Sequence, residues 1–214
     1  MDYQVPMTNI IAIVFTMVVS IGMPLIACFL LKRRFKTEVS LISALVGVTI
    51  FMFFAMTLEQ LLHSVVLNAA GEALQNNVWL YAIYGGLAAG LFEETGRYVG
   101  MKFLMKRNLT KENSLMYGIG HGGAESIMLV GMSYVSNLMI AMTINGGGLS
   151  ELLSSMETTG EAVDTDAIIE GLSPLWELGS GQFYMAGIER ICAFALQIAL
   201  SYLVYLAVRY GKNQ

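Results

Sequence analysis

Apolar residues fall along this chain in long, nearly unbroken runs, not in the short alternations or one-sided stripes of a water-facing fold. Five runs reach the roughly 20 residues that a helix needs to cross a bilayer: residues 7–31, 39–67, 78–104, 115–144 and 183–208. Several are longer by a turn or two, which predicts tilt or a protruding end. The first run does not read as a signal peptide, because no basic segment precedes it, no A-x-A site follows it, and it is too long. The pattern predicts an all-α, polytopic transmembrane helix bundle of about five spans, forming one domain over residues 1–214.

The charges between the runs orient them. Lys32, Arg33, Arg34 and Lys36 follow the first run; Lys102, Lys106, Arg107 and Lys111 follow the third; Arg209 and Lys212 follow the fifth. No basic residue lies in the N-terminal tail, in 68–77 or in 145–181. Under the positive-inside rule this alternation predicts an outside N-terminus and an inside C-terminus. Asp2, Glu72, Glu151, Glu157, Glu161, Asp164, Asp166, Glu170 and Glu177 fall on the opposite, outer side. Most belong to the loop 145–181, which opens with Gly146-Gly147-Gly148 and holds two short amphipathic stretches, Leu149–Met156 and Asp166–Leu172. Asp164 or Thr165 is placed to cap the second. The loop reads as a solvated acidic segment or, more sharply, as a lid over an entrance. Its charge would be repelled by anionic headgroups, so it is not expected to lie flat on the membrane.

Composition narrows the class. Hydrophobic residues make up 56% of the chain and charged residues 13%, about half the charge of an average soluble domain. That excludes an ordinary soluble domain, a disordered chain and a nucleic-acid binder. Cys28 and Cys192 both lie in apolar runs and read as small fillers, not as a disulfide framework.

Nine ionisable residues remain inside the runs: Glu59, His63, Glu93, Glu94, Arg97, His121, Glu125, Glu189 and Arg190. Each costs roughly 2.5–3.5 kcal/mol at mid-bilayer on the insertion scale. Together they would exceed a domain's net stability of about 5–15 kcal/mol, so they must face one another or a wet cavity. Glu59 and His63, Glu93 and Arg97, and His121 and Glu125 are each four residues apart and share a helix face. Gly86, Gly90, Glu93, Arg97 and Gly100 form a stripe in which small residues alternate with charge, a pattern that lets helices approach closely. Glycines also surround His121 in Gly118–Gly123. Glu189 and Arg190 are adjacent, so they are expected to serve different partners. Such residues could serve only to pair helices; that reading suits Glu189 and Arg190 best. Two neighbouring carboxylates in low dielectric, Glu93 and Glu94, are hard to ionise together, and that suits one of them to general-base work.

The string Glu93-Glu94-Thr95-Gly96-Arg97 matches EExxR, and Gly120-His121-Gly122-Gly123-Ala124-Glu125 matches GHGGxE. With Glu189-Arg190 on a later helix, the chain resembles the bacterial YhfC family of glutamic-type intramembrane proteases, a branch of the CAAX-protease and bacteriocin-processing superfamily. The resemblance implies a multi-pass protein of the bacterial plasma membrane that cleaves a membrane peptide or protein without a cofactor. Glu93 would activate water, with Glu94 and Arg97 orienting it. His121 would hold the water or stabilise the oxyanion, Glu125 would orient His121, and His63 with Glu59 would be a second donor pair. The superfamily usually carries a further histidine on a late helix, as HxxxD or HxxxN. This chain has two histidines, and on that pattern it reads as lacking a late helix or two.

Two other chemistries suit the same residues. His63, His121, Glu93 and Glu125 offer mixed nitrogen and oxygen ligands for zinc, although no HExxH is present. The buried acids and histidines would also suit a proton or cation pathway, or a chamber for a small ligand. That second alternative predicts an internal repeat, and none is evident.

Overall fold

A computed structural model of the chain describes residues 3–151, 153 and 165–211. Half of the 149–156 stretch, the Asp164 cap and the acids Asp2, Glu157 and Glu161 lie outside those residues. All regular structure among the described residues is helical. The helices are α1 (Met7–Arg34), α2 (Leu41–Phe53), α3 (Gln60–Gln75), α4 (Val78–Val99), α5 (Lys111–Glu125) and α6 (Met132–Asn145). Then follow α7 (Thr165–Leu172), α8 (Pro174–Glu177) and α9 (Ser180–Tyr210). Three π-helical segments interrupt or extend them, at Phe54–Glu59, Gly100–Leu104 and Ser126–Gly131.

Local signals explain the starts. The Ser40 hydroxyl accepts from Ile42 N–H at the start of α2. The Asn77 side chain accepts from both Trp79 and Leu80 N–H at the start of α4. Each satisfies donors that a helix leaves unpaired.

Four helical stretches are long and apolar enough to cross a membrane: Met7–Arg34, Leu41–Leu74, Lys111–Asn145 and Ser180–Tyr210. The fifth predicted run, 78–104, is helical as α4 and the π-helical segment after it, but it is not among these four. Glu93, Glu94 and Arg97 lie within it and reduce its apolar character.

The outside and inside of the molecule confirm the class. Ile11, Phe29, Leu30, Leu61, Val65 and Leu87 are all exposed, whereas Asn9, Thr16, Glu59, Arg97, His121 and Gln197 are buried. Large apolar side chains on the exterior, with polar and charged groups sequestered among the helices, suit hydrocarbon as solvent. The protein is a multi-pass helical membrane protein.

The chain divides into two compact units. One comprises Met1–Met23 and Ser126–Cys192. Its core is Val5, Ala12, Ile13, Ala141, Ile144, Leu175 and Phe183. Asn9 Nδ2 donates to the carbonyls of Leu175 and Leu178 at 2.9 Å each, which ties α1 to α8 and the residue that follows it. Thr16 Oγ1 donates to the Phe183 carbonyl at 2.6 Å.

The other unit comprises Pro24–Glu125 and Ala193–Gln214. Here α2 and α5 lie backbone to backbone. A Cβ at Gly47 would stand 2.2 Å from the Tyr117 carbonyl oxygen, and one at Gly120 would stand 2.1 Å from that of Ala44. Only glycine permits this approach. The expected stripe on α4 is partly corrected. Nothing lies within 4 Å of a Cβ at Gly86 or Gly90, whereas Gly96 packs on Phe54 and Ile50, and Gly100 on Ile50 and Tyr117. The close-packed face of α4 is therefore the Gly96–Gly100 turn.

Candidate functional site

The second unit holds a polar cluster centred on Glu93. Arg97, one turn further along α4, donates from NH2 to Glu93 Oε2 at 2.8 Å, and its NH1 pairs with Glu94. His121 Nε2 lies 3.3 Å from the same Glu93 oxygen. Gln197, from α9, donates to that oxygen at 3.0 Å and to Glu125 Oε2 at 2.5 Å. Three helices thus converge on one carboxylate. Arg97 and His121 are both fully buried. His121 is held edge-on by Phe51, with ring centroids 5.3 Å apart, and is stacked with Tyr117 at 6.0 Å.

The helices bring these groups together for simple reasons. Glu93 and Arg97 are four residues apart and meet along one face. The glycine contact between α2 and α5 seats His121 beside Phe51. Gly122 lies against Gln197: a Cβ there would come within 2.7 Å of the Gln197 Cβ. Two of the π-helical segments adjoin site residues in sequence. Glu59 ends one, and Glu125 immediately precedes another. Such segments recur at functional positions in helices.

A second group sits on α3 and α4. His63 Nε2 lies 3.2 Å from Glu59 Oε1, and its Nδ1 lies 2.8 Å from the Tyr84 hydroxyl.

The expected pairs fare differently. Glu59–His63 and Glu93–Arg97 meet as their spacing predicts. His121 instead meets Glu93, and Glu125 meets Gln197, although the two residues are a turn apart on α5. Glu189 and Arg190, expected to serve different partners, form a two-point pair with each other. Arg190 Nε and NH2 donate to Glu189 Oε2 and Oε1 at 2.6 and 2.5 Å. The long arginine side chain folds back far enough to reach its neighbour. Both belong to the first unit. Cys28 Sγ contacts Met116 Sδ at 3.7 Å and Cys192 is exposed; neither is in a disulfide.

Gln197 and Tyr84 escaped the sequence reading because only ionisable residues were sought within the apolar runs. A lone amide in the run 183–208 was the available signal. Its orientation follows from its neighbours, since turning the carbonyl toward two carboxylate oxygens would repel both. Two hydrogen bonds to charged groups, worth about 1.5–3 kcal/mol each, outweigh the roughly 1–3 kcal/mol cost of one orphaned acceptor. That acceptor is Gln197 Oε1, which is buried with no partner. Arg97 Nε, Tyr117 OH and His121 Nδ1 are likewise buried and unpartnered. The cluster therefore keeps donor and acceptor capacity for water or for a substrate amide.

Half-buried glutamates beside a buried histidine and arginine in an apolar helical bundle define the class as a multi-pass membrane protein with a polar cluster among its helices. The YhfC family, described as "YhfC intramembrane metalloprotease", matches residues 15–214. The chain is 38% identical over 181 residues to the "Uncharacterized membrane protein YhfC" of Bacillus subtilis (strain 168), across 83% of this chain and 67% of that protein. The chain belongs to the YhfC family. No solved structure matches significantly.

The family description implies a metal, and the geometry allows that to be tested. Among the described residues, no three His, Cys, Asp or Glu side chains converge on a point that could hold a metal ion. Glu93 Oε2 is flanked by Arg97, Gln197 and His121, and a guanidinium competes directly with a cation for carboxylate lone pairs. As arranged, the residues do not fit a metal.

Proposed function

We propose that this chain is an integral-membrane peptidase that hydrolyses a peptide bond of a membrane-embedded substrate with a water activated by Glu93. One observation carries the reading: three helices supply Arg97, His121 and Gln197 to one oxygen of Glu93, inside a bundle with an apolar exterior. In this scheme Glu93 takes a proton from water, and the water oxygen bonds to the scissile carbonyl carbon. The carbonyl electron pair moves onto its oxygen, where His121 stabilises the charge, a contribution that is usually large. Collapse of the intermediate breaks the C–N bond, and the leaving amine takes the proton back from Glu93. Arg97 and Glu94 orient Glu93, and His63 with Glu59 forms a second polar pair beside it. In this reading the chain shares its mechanism with the glutamic-type CAAX-protease superfamily that its motifs resemble.

We further propose that α4 is a fifth crossing, which returns the chain to the basic side before Lys102, Lys106 and Arg107. The N-terminus is then outside and the C-terminus inside, and the acidic loop 145–181 lies outside, where it could act as a lid.

The test uses purified protein in detergent and an internally quenched peptide carrying one apolar helical segment. Cleavage is expected to disappear in Glu93→Gln and His121→Ala, each assayed on protein that remains folded and membrane-inserted. Full activity in both variants would refute the assignment. The family description favours a metal-dependent alternative, for which zinc is the candidate considered. Elemental analysis decides it: inactivity of metal-free protein, reversed by added zinc, would replace the glutamate mechanism.

A further inference from the structure

Gln197 is an uncharged amide in the Glu93 cluster, and it links carboxylates from two helices, Glu93 on α4 and Glu125 on α5. We propose that Gln197 is a positioning residue whose amide clamps Glu93 and Glu125 together and fixes the direction in which Glu93 presents its carboxylate. The kinetic part of this inference rests on the peptidase reading; the clamp itself does not.

The geometry is economical in donors. The Gln197 NH2 has two hydrogens, and two carboxylate oxygens lie within reach, at 3.0 Å on Glu93 and 2.5 Å on Glu125. The residue is almost wholly buried, so water does not compete freely for those bonds. Its stem is fixed as well, because Gly122 on α5 leaves room for the Gln197 Cβ and no more. Ser201 Oγ donates to the Gln197 backbone carbonyl at 2.8 Å one turn along α9. The chemistry is selective. A glutamate here would bring a third anion to two others. A lysine or arginine would add a second cation beside Arg97. A leucine would fill the space and hold neither carboxylate. An amide supplies two donors with no change of charge.

Gln197→Leu keeps the bulk against Gly122 and removes the donors; Gln197→Met is the second variant if the first does not accumulate as folded protein. The first arm is a double-mutant cycle of melting temperature and needs no substrate. Gln197→Leu is expected to lower the melting temperature by several degrees. Glu125→Gln is expected to recover part of that loss in the Gln197→Leu background, while giving no gain in the parent protein. Additive effects would overturn the clamp. The second arm uses the quenched peptide: kcat is expected to fall on the order of 10²-fold, as for a misplaced reacting group, with KM little changed. An unchanged kcat in a folded variant would overturn the positioning role. If the parent protein cleaves nothing, the peptidase reading fails and the cycle alone decides the clamp.

Discussion

Arg97 reaches Glu93 Oε2 at 2.8 Å from a guanidinium with no solvent exposure, on the same face of α4. Its other arm takes Glu94. One buried cation therefore sits between two carboxylates. Removing it leaves Glu93, largely shielded from solvent, without its cationic partner and with only His121 and Gln197 beside it, and breaking a buried ion pair typically costs about 3–5 kcal/mol. Arg97→Ala is expected to be severely destabilised in a thermal melt. Arg97→Met combined with Glu93→Gln and Glu94→Gln is expected to recover most of the loss, because the triple variant buries no charge.

Glu93→Gln removes the proposed base and keeps the side-chain shape. A positioned general base contributes roughly 10²–10⁴-fold, so cleavage of the quenched peptide should fall by that order. Glu72→Gln, an exposed residue outside the cluster, should cleave at the parent rate. Equal activity in the two variants would remove Glu93 from the chemistry.

The glycine contacts make a sharper test of packing than of chemistry. Gly47→Ala and Gly120→Ala each place a methyl group about where a backbone carbonyl stands. Overpacking of this kind costs typically about 1–3 kcal/mol, sometimes more. Both should lower the melting temperature, and both should displace His121 from Phe51. Gly86→Ala and Gly90→Ala meet open space and should be neutral or slightly stabilising, as alanine favours helix over glycine.

Tyr84 holds His63 Nδ1 at 2.8 Å while Glu59 holds Nε2. Tyr84→Phe keeps the ring and removes the hydroxyl. A single hydrogen bond is worth about 0.5–1.5 kcal/mol net, so a small loss of melting temperature is expected. If His63 is a second donor in the reaction, activity should fall further than stability does. If it only pairs helices, the two should fall together.

Some of this was legible in the chain because it is local. Long apolar runs determine helices where the backbone must satisfy itself. Spacing of four brings Glu59 to His63 and Glu93 to Arg97, since those contacts need only one helix. The membrane class follows from the missing surface charge. The rest depended on which helices meet. Nothing in the run 183–208 shows that Gln197 would lie between Glu93 and Glu125, because an amide has no periodicity and its partners are 104 and 72 residues away. Nor could spacing tell that Gly96 and Gly100 are the packed glycines of α4, or that Glu125 would meet an amide instead of His121. Helix geometry sets the face a residue occupies, but the partner across that face is chosen only when close backbone approach, as at Gly47 and Gly120, decides which helices touch.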